Sequence, residues 1–175
     1  RSPHLSLRIP AFAVAEAGMV LERRRGERRK FVHEDLSRHT REVSRAKILQ
    51  RYDAAVQTLK AELLTGDADE DARWIDFRTR VLDRIDVIPL EGAMLAEMLE
   101  LQLTQGIGQF PDALMFAAVK LHLTAQRREG IRSPAIFVST DEKAFGSRVL
   151  VQQLREVGCT FINSFPNAVQ RLRRG

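Results

Sequence analysis

The chain has 175 residues, of which 44% are hydrophobic, and a formal net charge of +5. This length predicts one domain with a substantial core, and the single cysteine, Cys159, excludes an internal disulfide framework and favours a reducing compartment. We see no signal peptide and no apolar run near the roughly 20 residues that span a bilayer as a helix, so we predict a cytoplasmic protein without membrane partners.

An isolated carboxylate stands out near the start of the chain. Glu16 is the only charged residue between Ile9 and Leu21. A carboxylate in apolar surroundings costs free energy unless it is hydrogen-bonded, paired, bound to a metal or on a solvent-facing stripe of a helix. The sequence leaves open whether Glu16 is a ligand or an ordinary surface residue.

A run of basic residues follows Glu16. Clustered cations attract polyphosphate, which predicts a salt-sensitive nucleic-acid surface. Interleaved acids such as Glu22 and Glu27 are equally typical of a solvated helix face, and that alternative stays open. The candidate nucleic-acid-binding residues are Arg23, Arg24, Arg25, Arg28, Arg29 and Lys30.

The next stretch, residues 22–82, has a helical pattern throughout. We predict a helix over residues 52–64, a break at residues 65–69 around Gly66, and a third helix after it. From about Asp83 onward, helical and strand patterns alternate, and a helix over residues 91–103 ends in a loop at residues 106–108. This order predicts an α/β sheet with a helical insertion.

Two segments of the C-terminal half each carry one aspartate beside an apolar element. Residues 135–138 have the pattern of a strand of a covered parallel sheet, so Asp141 lies beyond its carboxyl end, where α/β proteins bind ligands. Pro111 suits the first position of an apolar helix, which puts Asp112 in the first turn. The alternatives are that Asp112 is an ordinary helix-start carboxylate and Asp141 the cap of a turn.

These segments resemble the PIN domain ribonucleases. The string PDALMFAA at residues 111–118 is similar to a helix start of that family, and FVSTD at residues 137–141, with Phe145 nearby, is similar to one of its strand ends. Residues 8–16 resemble the strand and helix that carry the family's glutamate. Residues 85–90 and 160–162 resemble its preceding strand and its closing edge strand.

The resemblance implies a fold. We expect a PIN-like three-layer sandwich with a mostly parallel central sheet, formed as a single domain over residues 1–175. The helical insertion would occupy about residues 27–82 and the metal-site half about residues 83–175. The family's first acidic residue ends an N-terminal strand that has no counterpart before Ile9, so we expect that strand, with a fourth carboxylate, to lie upstream of Arg1.

The resemblance also implies a function. Glu16, Asp112 and Asp141 would be ligands of Mg²⁺ or Mn²⁺, with Ser139 as a supporting hydroxyl, in a divalent-metal-dependent endoribonuclease that cleaves RNA. Family association adds a toxin role in a toxin–antitoxin pair, with an antitoxin-type protein inhibitor and a homodimer as partners.

Two other functions remain open from the sequence. The first is a catalytically degenerate PIN-like module that binds RNA or a partner protein through its basic helices. The second, from outside the family, is a receiver-like doubly wound domain whose carboxylates hold Mg²⁺ for regulation.

Overall fold

A computed structural model describes residues 5–44, 52–105 and 109–174. The predicted α/β class is confirmed, because the fold is mostly helical and contains two small parallel sheets. In chain order the elements are β1 (Arg8–Pro10), α1 (Ala11–Lys30), a π-helical segment (Phe31–Leu36), α2 (Ser37–Ser44), α3 (Asp53–Leu82), β2 (Asp86–Ile88), α4 (Gly92–Gln105), α5 (Phe110–Arg128), β3 (Ala135–Val138), α6 (Glu142–Phe145), α7 (Arg148–Glu156), β4 (Cys159–Ile162) and α8 (Phe165–Arg174).

The described residues divide into two compact units. The helical unit contains residues 5–7, 15–44 and 52–86, and the sheet unit contains residues 8–14, 87–105 and 109–174. The predicted helical insertion at residues 27–82 falls inside the helical unit, and the predicted single domain over residues 1–175 stays a prediction. None of the described helices is both long and apolar enough to cross a bilayer.

The strands form two pairs. β1 pairs with β2, and β3 pairs with β4 in parallel, so that Ala135 lies opposite Cys159 and Val138 opposite Ile162. One further hydrogen bond, from the Ser139 N–H to the Ile162 carbonyl at 3.2 Å, extends the second pair past its end. All four strands fall in segments that the sequence predicted, and β3 matches its predicted bounds.

The helical unit contains one correction to the sequence analysis. The predicted break at residues 65–69 is wrong, because α3 runs unbroken from Asp53 to Leu82. Gly66 costs a helix about 1 kcal/mol relative to alanine but does not have to end it. Asp67 is buried and accepts hydrogen bonds from Arg28 and Arg29, so ion pairs with another helix help to hold this segment helical.

The core of the sheet unit is built around α5. Its segment from Ala113 to Val119 is buried at all positions except Met115, as the nearly all-apolar sequence predicts. Phe137 of β3 meets Phe145 of α6 edge to face, with ring centroids 5.1 Å apart. This packing fixes the start of α5 and the end of β3, the two places where the candidate aspartates lie. The predicted loop at residues 106–108 lies outside the described residues.

Candidate functional site

Asp112 lies in the first turn of α5, as predicted. Gln109 before the helix is extended, with φ −114° and ψ 130°, and Pro111 sits in the first turn. Partial burial raises the pKa of the Asp112 carboxyl above its ordinary value, and the negative charge of Asp141 raises that pKa further. The fold therefore brings two carboxylates from separate segments close enough to repel each other.

Asp141 follows β3 and begins the short helix α6. Its Oδ1 accepts a hydrogen bond from the Ala144 N–H at 2.9 Å, so the capping role considered as an alternative is confirmed. The Asp141 N–H donates to Ser139 Oγ at 3.2 Å. Ser139 thus holds the backbone of Asp141, and capping occupies only one of the two carboxylate oxygens.

Two polar residues at the same edge of the sheet were not singled out by the sequence analysis. Asn163 directly follows β4, and its Nδ2 donates to Glu142 Oε2 at 3.0 Å. Because β3 and β4 are parallel, their carboxyl ends meet at one edge. The strand-end argument that identified Asp141, applied to β4, would have identified Asn163 as well.

Glu16 lies on α1 and is half-buried. It belongs to the helical unit, whereas Asp112 and Asp141 belong to the sheet unit. Across residues 5–44, 52–105 and 109–174, no group of three or more His, Cys, Asp or Glu side chains is placed to hold a metal ion. The role of Glu16 as a third ligand stays a prediction.

The two aspartates alone match the ligand set that Mg²⁺ commonly uses. This ion is usually held by one or two carboxylates, keeps several waters and adds substrate phosphate oxygens. Burial and the negative charge of Asp141 both raise the pKa of Asp112, and a bound cation would offset both effects. The two carboxylates, Asp112 and Asp141, therefore fit a divalent ion in number and charge.

Half of the basic run on α1 is engaged inside the helical unit. Arg25 is buried, and its Nη1 lies 2.6 Å from an Asp71 carboxylate oxygen. Arg28 contacts both Asp67 at 2.8 Å and Glu70 at 2.5 Å. Arg29 contacts Asp67 at 3.0 Å. The hydrogen bond with Glu70 raises the pKa of Arg28, and the same bond lowers the pKa of Glu70.

The other half of the run is exposed. Arg24 and Lys30 are exposed, and among the described residues the ion pair of Arg23 is a 4.0 Å contact with Glu27. The basic run therefore has two parts: one holds α1 to α3, and the other is available to an external anion. The nucleic-acid-binding role of the six residues stays a prediction.

Comparisons with protein-family models, with curated proteins and with solved structures gave no match. The resemblance to PIN domains thus rests on the sequence segments described above.

Proposed function

We propose that this protein is a PIN-like, divalent-metal-dependent endoribonuclease whose Mg²⁺ or Mn²⁺ site is built on Asp112 and Asp141. The observation that carries the proposal is the placement of Asp112 at the start of α5 and Asp141 after β3, near enough to interact: burial raises the pKa of Asp112, and the negative charge of Asp141 raises it further. Repelling carboxylates create the negative field that collects divalent cations. The PIN-like three-layer sandwich is part of this proposal.

The chain's own residues have distinct tasks in this proposal. Asp112 and Asp141 hold the ion, and Ser139 fixes the backbone of Asp141 through its hydroxyl. Glu16 is proposed as a third ligand from the resemblance alone. When bound, the ion supplies Lewis-acid activation of water and stabilises the charge that develops on the phosphate oxygens.

Further parts of the proposal rest on the resemblance alone. These are the role as toxin of a toxin–antitoxin pair, an antitoxin-type inhibitor, a homodimer and a cytoplasmic location. Copurification of the protein with and without its neighbouring gene product, followed by light scattering, would test the inhibitor and the dimer together.

The central experiment measures RNA cleavage in Mg²⁺, Mn²⁺ or EDTA with the wild type, Asp112→Asn and Asp141→Asn. Asparagine caps a helix about as well as aspartate does, so Asp141→Asn removes the charge and keeps the Ala144 contact. Loss of a positioning partner of a metal ligand already costs about 10- to 100-fold, so we expect each ligand substitution to cost about 100-fold or more.

The matched control is Asp69→Asn, an exposed carboxylate on α3. It should cleave at the wild-type rate. Calorimetric titration with Mn²⁺ gives a second readout without substrate, and both site variants should lose the binding heat. Wild-type cleavage by both site variants would refute the proposal.

A second candidate function is a catalytically degenerate PIN-like module that binds RNA or a partner protein. Its supporting observation is that one Asp141 oxygen already caps α6, while the described residues offer no group of three metal ligands. If the protein binds RNA but does not cleave it in either Mg²⁺ or Mn²⁺, the binding module is favoured over the nuclease.

A further inference from the structure

An open groove runs along the surface of α7 in the sheet unit. Its polar side chains, Arg148, Gln152 and Arg155, are exposed and fall at helical positions i, i+4 and i+7, so they share one face. Among the described residues, the groove is lined by Gly146, Arg148, Val151, Gln152 and Arg155.

The two groove arginines differ from those of the basic run on α1 in their charge partners. Arg25 and Arg28 are matched by carboxylates of α3. In the described part of the chain, no carboxylate forms an ion pair with Arg148 or Arg155. Two acidic residues lie at the margin of the groove: Glu156 accepts a long 3.5 Å hydrogen bond from Gln152, and the Glu142 side chain lies beside Gly146.

We propose that this groove binds successive phosphates of an RNA strand on its way to Asp112 and Asp141, an inference that rests on the proposed function. Seven residues of helix separate Arg148 from Arg155, which is about 10 Å along the axis. This separation is wider than one phosphate group, so the pair suits a chain of phosphates better than a single anion. Arginine is well fitted to phosphate because its planar fork can donate two parallel hydrogen bonds.

The groove also lies close in the chain to the candidate site. Gly146 lines the groove and closes α6, and Asp141 caps the opposite end of that helix. A helix of four residues is about 6 Å long. A strand that leaves the groove at Gly146 therefore has about one helical turn to cover before it reaches the level of Asp141.

The lining favours a nucleic acid over an acidic protein segment. Protein interfaces draw most of their affinity from buried aromatic or large apolar anchors. The only apolar side chain in the described lining is Val151, which is half-buried and small. A groove with two cations, one amide and one valine gains its affinity mainly by releasing counterions from a polyphosphate.

The test measures binding of a fluorescent single-stranded RNA by anisotropy in EDTA, so that no cleavage occurs. The groove variant carries Arg148→Gln and Arg155→Gln together, and the charge-matched control carries Arg73→Gln and Arg78→Gln, two exposed arginines on α3. Each phosphate contact contributes a slope of about −0.7 to a plot of log K against log salt, so two contacts contribute about 25-fold in affinity at 0.1 M salt.

We expect the groove variant to bind about 25-fold more weakly, with a salt slope reduced by about 1.4, and the control to lose less than about threefold. Circular dichroism and the melting temperature should match the wild type for both. Equal losses in the two variants, or no loss in the groove variant, would overturn the proposal. Displacement of the RNA by poly-glutamate at the same charge concentration would overturn the assignment to nucleic acid.

The same experiment separates this inference from the nuclease proposal. Groove-dependent RNA binding, together with unchanged cleavage in Asp112→Asn and Asp141→Asn, would leave the groove standing and refute the catalytic site. If the groove variant binds RNA fully and those substitutions abolish metal-dependent cleavage, the groove is refuted and the catalytic site stands.

Discussion

The turn that leads into β4 allows a quantitative prediction about Gly158. This residue has φ +68°, and a Cβ built on it would overlap Nη2 of Arg127. The guanidinium stays there because Arg127 Nε donates a 2.6 Å hydrogen bond to the Val157 carbonyl. Substitution Gly158→Ala therefore does two things: it forces alanine into a left-handed conformation, and it displaces Arg127 from its acceptor.

The structure provides a control for the first effect. Gly130 has φ +85°, but none of the described residues beyond its chain neighbours lies within 4 Å of the Cβ that Gly130→Ala would add. The left-handed conformation costs roughly 1–2 kcal/mol at either position. At Gly158 the lost hydrogen bond adds about 1 kcal/mol, near the middle of the usual range because Arg127 is exposed. We expect Gly158→Ala to cost about 2–3 kcal/mol and Gly130→Ala about 1–2 kcal/mol.

Urea unfolding followed by circular dichroism measures both free energies. The decisive comparison repeats both substitutions in an Arg127→Ala background, where the obstacle and the hydrogen bond are gone. There the two glycine substitutions should cost the same within about 0.5 kcal/mol. If Gly158→Ala and Gly130→Ala already cost the same with Arg127 present, the reasoning about the close approach is refuted.

Three other predictions concern α3, the basic run and the candidate site. Gly66→Ala should stabilise the protein by about 1 kcal/mol in urea unfolding, because α3 continues through this position and the added Cβ has no described residue of another element within 4 Å. A loss of stability would contradict an unbroken α3. Arg25→Ala should lower the free energy of unfolding by about 2 kcal/mol, and not by more, because its partner Asp71 stays half-exposed and solvated once unpaired. RNA affinity should stay within about twofold of the wild type, and weaker RNA binding at full stability would assign Arg25 to the nucleic acid. Asp112→Asn should raise the melting temperature, and by more as the pH rises from about 3 to 7, because a carboxyl with a raised folded-state pKa stabilises the fold below its unfolded-state pKa and loses that contribution as the pH passes the folded-state pKa. A constant difference across this range would contradict the raised pKa that burial of Asp112 and the charge of Asp141 cause.

The sequence predicted correctly those helices and strands whose bounds depend on residues adjacent in the chain. Ala135–Val138 is a short apolar run between Pro134 and polar residues, and the structure gives β3 those bounds. Pro111 likewise placed Asp112 in the first turn of α5. The break at residues 65–69 was mispredicted because the partners of Asp67 come from α1, about 40 residues away, and no local pattern contains them.

The candidate site divides in the same way. Asp112 and Asp141 were each identified from their position next to an apolar element, but their mutual effect depends on how α5 packs beside β3. The basic run on α1 was found as a cluster of charges, and the sequence alone could not show that Arg25, Arg28 and Arg29 face carboxylates of α3. Charge pairing is a tertiary property, so a count of arginines overstated the number of unpaired cations on α1.

The buried Cys159 is a chemical reporter of the β3–β4 pair, at the end of that pair opposite the candidate site. It begins β4, and burial raises the pKa of its thiol to about 11, with a hydrogen bond to the Phe137 backbone lowering that pKa in part. Against the ordinary value of 9.0, this leaves about 100-fold less of the reactive thiolate near neutral pH. The chain has no other cysteine. The rate at which an alkylating reagent modifies the native protein therefore measures how often β4 separates from β3, without any label being introduced.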